Sequence, residues 1–331
     1  MIKFSTPHLG LKKLRITFFA CLCLAASAVC AQTPGNAIRL LVGFPPGGGT
    51  DAIARVLAEK LGEELGRPVV VDNRAGAGGQ IAAQILKSAP ADGKTFFLSN
   101  DHTISIIPQV MKNPGFDSLK DSVPVAGFAN SVNGLAVPAT SPIKTVAEYV
   151  AWVKRQNGDR SAVGIPAPAS IPEFLVHDIG AKYQLDLRAV PYRGSGPMIV
   201  DMLSNQIPAG IGSVADFIEY HKAGKIRLIA LIGRERQTLF PDVQTFSELG
   251  MIGLEDLPYY GFFAPRGTPQ ATIDRFGAAL AKVLATPAVH DRITAMGFLV
   301  EFMGQGQFTE LVRVYTTQWA QTIKASGYQP Q

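Results

Sequence analysis

An α/β fold in two domains is what this chain predicts, and three observations carry that expectation. Short apolar runs alternate with helical patterns almost throughout, the trace left by parallel strands connected through helices. Two glycine-rich turns, GFPPGGGTD at 43–51 and NRAGAGG at 73–79, each end an apolar run and open a helix. The 331 residues, even without a leader, are too many for one compact core and suit two.

The first element is a leader. Lys3, Lys12, Lys13 and Arg15 precede the apolar run 16–29, and Val29-Cys30-Ala31 offers a small-residue processing site. Residues 1–31 are therefore read as a cleaved secretory signal peptide, cut between Ala31 and Gln32. A membrane anchor is the alternative, but the run falls short of the roughly 18–20 apolar residues that a span requires. Cys30 follows Val29 rather than a small residue, which argues against lipidation. Cys21, Cys23 and Cys30 are the three cysteines of the chain and all lie in the leader. The mature chain thus has no disulfide, thiol nucleophile or cysteine metal site. The formal charge of +5 includes the four leader cations and no leader acid, which leaves +1. Without a basic cluster interleaved with aromatics, nucleic acid is excluded as a partner. A soluble product of the bacterial periplasm is expected.

Strands are predicted at 38–43, 68–72, 95–99, 134–137, 162–165, 187–191, 207–211, 226–232 and 259–264, each an apolar run bounded by turn residues. Between the first two, Ile53, Val56, Leu57, Leu61 and Leu65 recur at three and four, with Thr50 or Asp51 placed to cap the start and Gly66 the end. That spacing buries one face of a helix. NRAGAGG leads likewise into a helix at 80–87, and YRGSGP at 192–197 into one at 198–205. Pro138 and Pro142 mark a passage from one lobe to the other, and YYGFFAP, an isolated aromatic strand, marks the return near 254–265. Lobe 1 is then 32–132 plus 254–331, and lobe 2 is 133–253. Helices at 269–285 and 308–325 are expected to pack back on lobe 1, the second through Leu311, Val312, Tyr315, Trp319 and Ile323.

The chemistry centres on the glycine turns. A turn that opens a helix aims backbone N–H groups, at the positive end of the helix dipole, toward an anion. A plain tight turn is the competing explanation for either one alone. Nucleotide fingerprints fail: Gly49-Thr50-Asp51 stands where a Walker A motif needs Gly-Lys-Ser/Thr, and Ile81 takes the last glycine position of GxGxxG. Ser195 and Ser213 lack the glycines of a nucleophile elbow. His102, His177, His221 and His290 are scattered, without metal-ligand spacing. His102 stands apart because Ser99-Asn100-Asp101-His102 closes the third strand, where α/β sheets place ligands. Asp51 is either a helix cap or an acceptor for a ligand or its water. Arg74 and Arg193 either pair with a second carboxylate or are solvated. These readings predict a binder with no catalytic residue, metal or cofactor.

The segments GFPPGGGTDAIAR, VVVDNRAGAGGQIAA, ADGKTFFLSN, VPYRGSGPMIVDML, KAGKIRLIAL, RERQTLFPDVQTFSELG, YYGFFAPRGTP and WAQTIKASG together resemble the Bug family of extracytoplasmic solute receptors. These are the substrate-binding proteins of tripartite tricarboxylate transport systems. The resemblance runs over nearly the whole mature chain. It implies a two-lobed, type II-like periplasmic binding protein, two Rossmann-like α/β domains joined by crossing hinge strands, that closes as a monomer on a small carboxylate: a dicarboxylate, amino acid or aromatic acid. Its partners would be membrane permease subunits or a sensor receptor; an enzyme acting on a small carboxylate is the third alternative. The ligand residues implied are Gly47, Gly48, Gly49, Thr50 and Asp51 of the first turn and Ala75, Gly76, Ala77, Gly78 and Gly79 of the second; Phe44 beside the first turn, and Asn100 and His102 after the third strand, join them as candidates by position alone. The opposing lobe would add Ala169, Ser170, Arg193, Gly194, Ser195, Ser213 and Asp216. GIPAPAS departs from the family's more usual Gly-Ser-like turn, and Pro166 and Pro168 remove two amide donors. Pro258-Tyr259-Tyr260-Gly261 stands where a tryptophan is common.

Overall fold

Two β-sheets organise the chain from Ile38 onward. The computed structural model describes residues 36–155, 161–251 and 257–330. The expected signal peptide lies outside the described residues, as do residues 252–256 of the expected return passage.

The first sheet contains β1 (Ile38–Val42), β2 (Val69–Asn73), β3 (Thr95–Asn100), β4 (Ser122–Ser131), β10 (Tyr259–Pro265) and β11 (Phe298–Met303), in the order β11-β4-β10-β3-β1-β2. The second contains β5 (Asn133–Pro138), β6 (Ala162–Ile165), β7 (Arg188–Pro191), β8 (Ala209–Ser213) and β9 (Ile226–Leu231), in the order β7-β6-β8-β5-β9. The fold is α/β and two-lobed, with one sheet at the heart of each lobe.

The expectation of parallel strands holds only for β2-β1-β3 and for β7-β6-β8. Only Val132 separates β4 from β5, so the chain steps directly from one sheet into the other. Strand β10 begins where β3 and β4 end, with Tyr260 opposite Asn100 and Ala129, and so runs back against both. By the same logic β5 begins opposite Ser213 and Leu231, at the ends of β8 and β9, and runs antiparallel to them. YYGFFAP is therefore an interior strand of the first sheet, not an isolated one. The consequence for function is geometric: the carboxyl ends of β3, β4, β8 and β9 all point at the crossing.

Strands β4 and β11 escape the sequence reading. Pro124 and Gly127 punctuate β4 like a loop, yet Pro124 sits opposite Phe263 beside a register shift, where a missing N–H is tolerated. The edge strand β11 buries only its end residues fully, Phe298 and Met303, and shows no clean alternation.

The helices follow the apolar periodicity. Helix α1 (Gly49–Leu65) buries Ile53, Val56, Leu57, Leu61 and Leu65 and ends on Gly66 in the left-handed conformation. Its N-cap is Gly48, without a side-chain cap, so Thr50 and Asp51 lie inside the first turn rather than before it. Next come α2 (Gln80–Lys87), a π-helical turn at His102–Ile106, α3 (Ile107–Val110), α4 (Ser118–Asp121), α5 (Val146–Arg155) and α6 (Ile171–Tyr183). The chain continues through α7 (Ser195–Leu203), α8 (Val214–Lys222), α9 (Gln270–Ala285), α10 (Pro287–Ala295) and α11 (Gln305–Ala325).

Strand alternation sends Leu40, Phe96 and Phe262 to a core shared with α1 and α9, and Leu41, Phe97 and Phe263 to a core shared with α11. A third core fills the second lobe around Leu135, Ile211 and Phe217. The lobes also touch away from the crossing, where Phe174 of α6 packs on Trp319 of α11 with ring centroids 5.2 Å apart. Among the described residues, no helix is long and apolar enough to cross a membrane.

Candidate functional site

A cavity of about 250 Å³ opens at the crossing, between the ends of the two sheets. Four of its wall residues are helix N-caps: Gly48 of α1, Ser170 of α6, Gly194 of α7 and Ser213 of α8. Each such end carries unpaired N–H groups and roughly half a positive charge from the helix dipole. Among the described residues no lysine or arginine lines the cavity, so the positive potential of its wall is that of the helix starts.

The first turn is shaped by two demands. Gly47 has φ +87°, a conformation that L side chains rarely adopt. At Gly49 a Cβ would lie 3.0 Å from Ala215 Cβ and 3.3 Å from the Asp216 carboxylate, so the close approach of the two lobes here favours a bare backbone.

That approach is bonded. The Gly49 N–H donates to Oδ1 of Asp216 at 2.8 Å, and the Ser195 hydroxyl donates to Oδ2 of the same carboxylate. Gly49 and Ser195 open α1 and α7, and Asp216 lies in the first turn of α8. One acid thus sits among three helix starts. Burial raises its pKa, while the bonds from Ser195 and Gly49 pull it back.

At the end of β3 the wall is polar and buried. His102 is 6% exposed, and neither of its ring nitrogens has a hydrogen-bond partner. Burial drives it down to about 4, so it is neutral at pH 7. Asp101, 3% exposed, accepts from the Tyr315 hydroxyl at 3.2 Å and is pushed up to about 7 by burial. Tyr260 presents its hydroxyl 3.2 Å from Thr50 Oγ1.

Of the residues expected from sequence, Phe44, Gly47, Gly48, Gly49, Thr50, Asn100, His102, Ser170, Gly194, Ser195, Ser213 and Asp216 line this cavity. Asp51, Ala75, Gly76, Ala77, Gly78, Gly79, Ala169 and Arg193 do not. Asp51 instead accepts from Gly47, Arg55 and Asn73 beneath the first turn. The second glycine turn stands behind the wall, where the Gly78 carbonyl accepts from Thr103 Oγ1 at 2.7 Å. Ala169 is buried in the core shared with α11, Arg193 is exposed, and Arg74 pairs with Asp72 at 2.9 Å. Wall residues not singled out include Asp101, Ser131, Asn133 and Tyr260. The last three lie on or beside strands whose pairing is long-range, and no local signal marks them. Among the described residues, no group of three His, Cys, Asp or Glu side chains is placed to hold a metal ion.

The sequence matches the tripartite tricarboxylate transporter family receptor over residues 53–328. The chain belongs to that family. Protein BugT of Bordetella pertussis is 31% identical over 304 residues, covering 91% of this chain and 93% of BugT. A solved structure of R. palustris Rpa4515 with adipate superposes with a TM-score of 0.85 at 27% identity, covering 91% of this chain and 100% of that one. MatC from Rhodopseudomonas palustris with bound malate gives a TM-score of 0.79 at 25% identity over 88% of this chain and 99% of MatC. The family is one of solute-binding receptors of the periplasmic type, and the Bug resemblance of the sequence is borne out.

Proposed function

We propose that this receptor captures a small carboxylate in the cavity between its lobes and delivers it, in the periplasm, to the membrane permease of a tripartite tricarboxylate-type transporter. The observation that carries the reading is the meeting of four helix N-caps on one cavity with no lysine or arginine among the described residues of its wall. Fixed N–H groups bind carboxylate oxygens without reorganising, and each charge-assisted bond contributes about 1.5–3 kcal/mol before ordering costs. The adipate and malate bound to the two R. palustris relatives support the ligand class.

On this reading residues 32–132 and 254–331 form one lobe, residues 133–253 form the other, and the step at Val132 is one of two hinge strands. Ligand that bridges both lobes favours the closed form by its differential affinity. The wall residues are positioned to hold the ligand, and binding requires no bond to be broken.

Calorimetric titration of the chain from Gln32 with small carboxylates, alongside Gly48→Val, tests this. A Cβ at Gly48 meets nothing closer than 3.6 Å, so valine there fills cavity space rather than disrupting the fold. At least a tenfold loss of affinity with an unchanged circular dichroism spectrum is expected. Binding as tight as in the unaltered chain would remove the cavity from the proposal.

A further inference from the structure

We infer that the cavity selects an acid carrying a single carboxylate on an apolar body, and that Asp216 sets this charge limit. The inference rests on the carboxylate reading above and narrows it.

The field of the helix starts is made of partial charges, and part of it is already committed. The Asp216 carboxylate holds the Gly49 N–H and the Ser195 hydroxyl, and lies in the first turn of its own helix. A ligand carboxylate entering beside it finds the remaining N–H groups. Among the described wall residues a second carboxylate would find neither lysine nor arginine, and would meet an acid already in place.

The rest of the wall points the same way. Pro45, Pro46, Pro166, Pro172, Pro197 and Pro258 all line it, and each lacks an N–H to donate. Phe44, Ile171 and Tyr260 add apolar surface. A charge buried without partners is strongly unfavourable, whereas an aliphatic or aromatic body gains from leaving water.

His102 closes the wall at the end of β3 without adding charge. It is more than nine-tenths buried, lines the cavity, and leaves both ring nitrogens unpaired. A neutral imidazole offers one donor and one acceptor. Both nitrogens are closed to solvent, with Nε2 on the side of Gly78, so the ring brings no cation to the cavity, and Asp101 stands next to it in the wall.

The test compares matched acids by calorimetry at pH 7.5: hexanoate with adipate, and nicotinate with malate and citrate. Hexanoate or nicotinate is expected to bind at least tenfold tighter than any of the polycarboxylates. Asp216→Asn retains polar atoms toward Gly49 and Ser195 but removes the charge. It should raise the affinity for adipate relative to hexanoate at least tenfold, a change of preference that a purely structural role would not produce. Tighter binding of adipate, malate or citrate by the unaltered chain would overturn the inference and leave the carboxylate reading standing, as would an equal loss for every acid in Asp216→Asn. If no acid of either class binds, the carboxylate reading itself falls, and this inference with it.

Discussion

The backbone N–H of Gly47 donates to Oδ2 of Asp51 at 2.9 Å. Because Asp51 is the third residue of α1, its side chain reaches back over the helix start, much as the acidic member of a capping box does. The same carboxylate accepts from Arg55 Nε at 2.9 Å and from Asn73 Nδ2 at 3.0 Å, and Asn73 also donates to the Phe44 carbonyl at 3.1 Å. One buried acid therefore ties the end of β1, the end of β2 and the start of α1 together. It holds in place the turn from which Gly49 reaches Asp216.

Asp51→Ala should lower stability by about 1–2 kcal/mol, the range for a lost cap with a buried donor left unpaired. Ligand affinity should fall too, although Asp51 is not in the wall. Burial alone would raise this carboxyl, but the bonds from Arg55, Gly47 and Asn73 hold it below the ordinary range. A depressed carboxyl stabilises the fold above its unfolded value of about 3.9 and loses that contribution as pH falls through its folded value. Urea unfolding should show the gap between the unaltered chain and Asp51→Asn narrowing below about pH 4; a gap that is constant with pH would refute the assignment.

Gly78 acts on the cavity from behind. Its φ is +65°, and a Cβ would stand 2.4 Å from Nε2 of His102 and 3.2 Å from Cδ1 of Ile107. Gly78→Ala is expected to displace His102 and weaken binding at least tenfold, with about 1–2 kcal/mol of backbone strain. Gly66→Ala is the control: its φ is +67°, yet nothing lies within 4 Å of the added carbon. It should melt lower and bind normally. Equal affinities for the two variants would detach the second glycine turn from the site.

Local chemistry was legible in the sequence and long-range pairing was not. The buried face of α1 and its Gly66 stop follow from spacing and φ alone, as does the turn that places Gly48 at a helix start. Asp216 could be read as a helix-start acid, but its partner Gly49 is 167 residues away. Tyr260 enters the wall because β10 lies between β3 and β4, an order that no window of sequence contains. The same gap concealed β4, whose Pro124 and Gly127 look like a loop until β10 and β11 flank them.

Gly261, in the middle of β10, tests that interior placement. A Cβ there would lie 2.1 Å from Cζ of Phe308 and 2.9 Å from the Ala126 carbonyl oxygen, so a ring and a paired strand both stand in its way. Gly261→Ala should cost about 1–3 kcal/mol by overpacking. Adding Phe308→Leu, which removes the obstructing ring edge, should recover part of the lost melting temperature. A single variant as stable as the unaltered chain would mean that β10 does not pack against α11 as described.

The acid and base at the end of β3 set opposing pH dependences. Asp101, driven up to about 7 by burial despite bonds from the His102 N–H and from Tyr315, keeps its proton longer folded than unfolded. It thus stabilises the fold at low pH and loses that contribution as pH rises from about 3.9 to 7. His102, driven down to about 4, does the reverse, since the unfolded chain binds its proton first and stability falls as pH drops from about 6.5 toward 4. Tyr259 and Tyr315, buried beside Asp101, are held well above the usual tyrosine range and do not titrate in this window. Each slope is about 1.4 kcal/mol per pH unit, so between roughly pH 4.5 and 6 they cancel. Asp101→Asn should leave stability rising with pH across that interval and His102→Gln should leave it falling, read from urea midpoints at constant m-value. If all three proteins show the same pH slope, the two groups are not buried with the charges assigned to them.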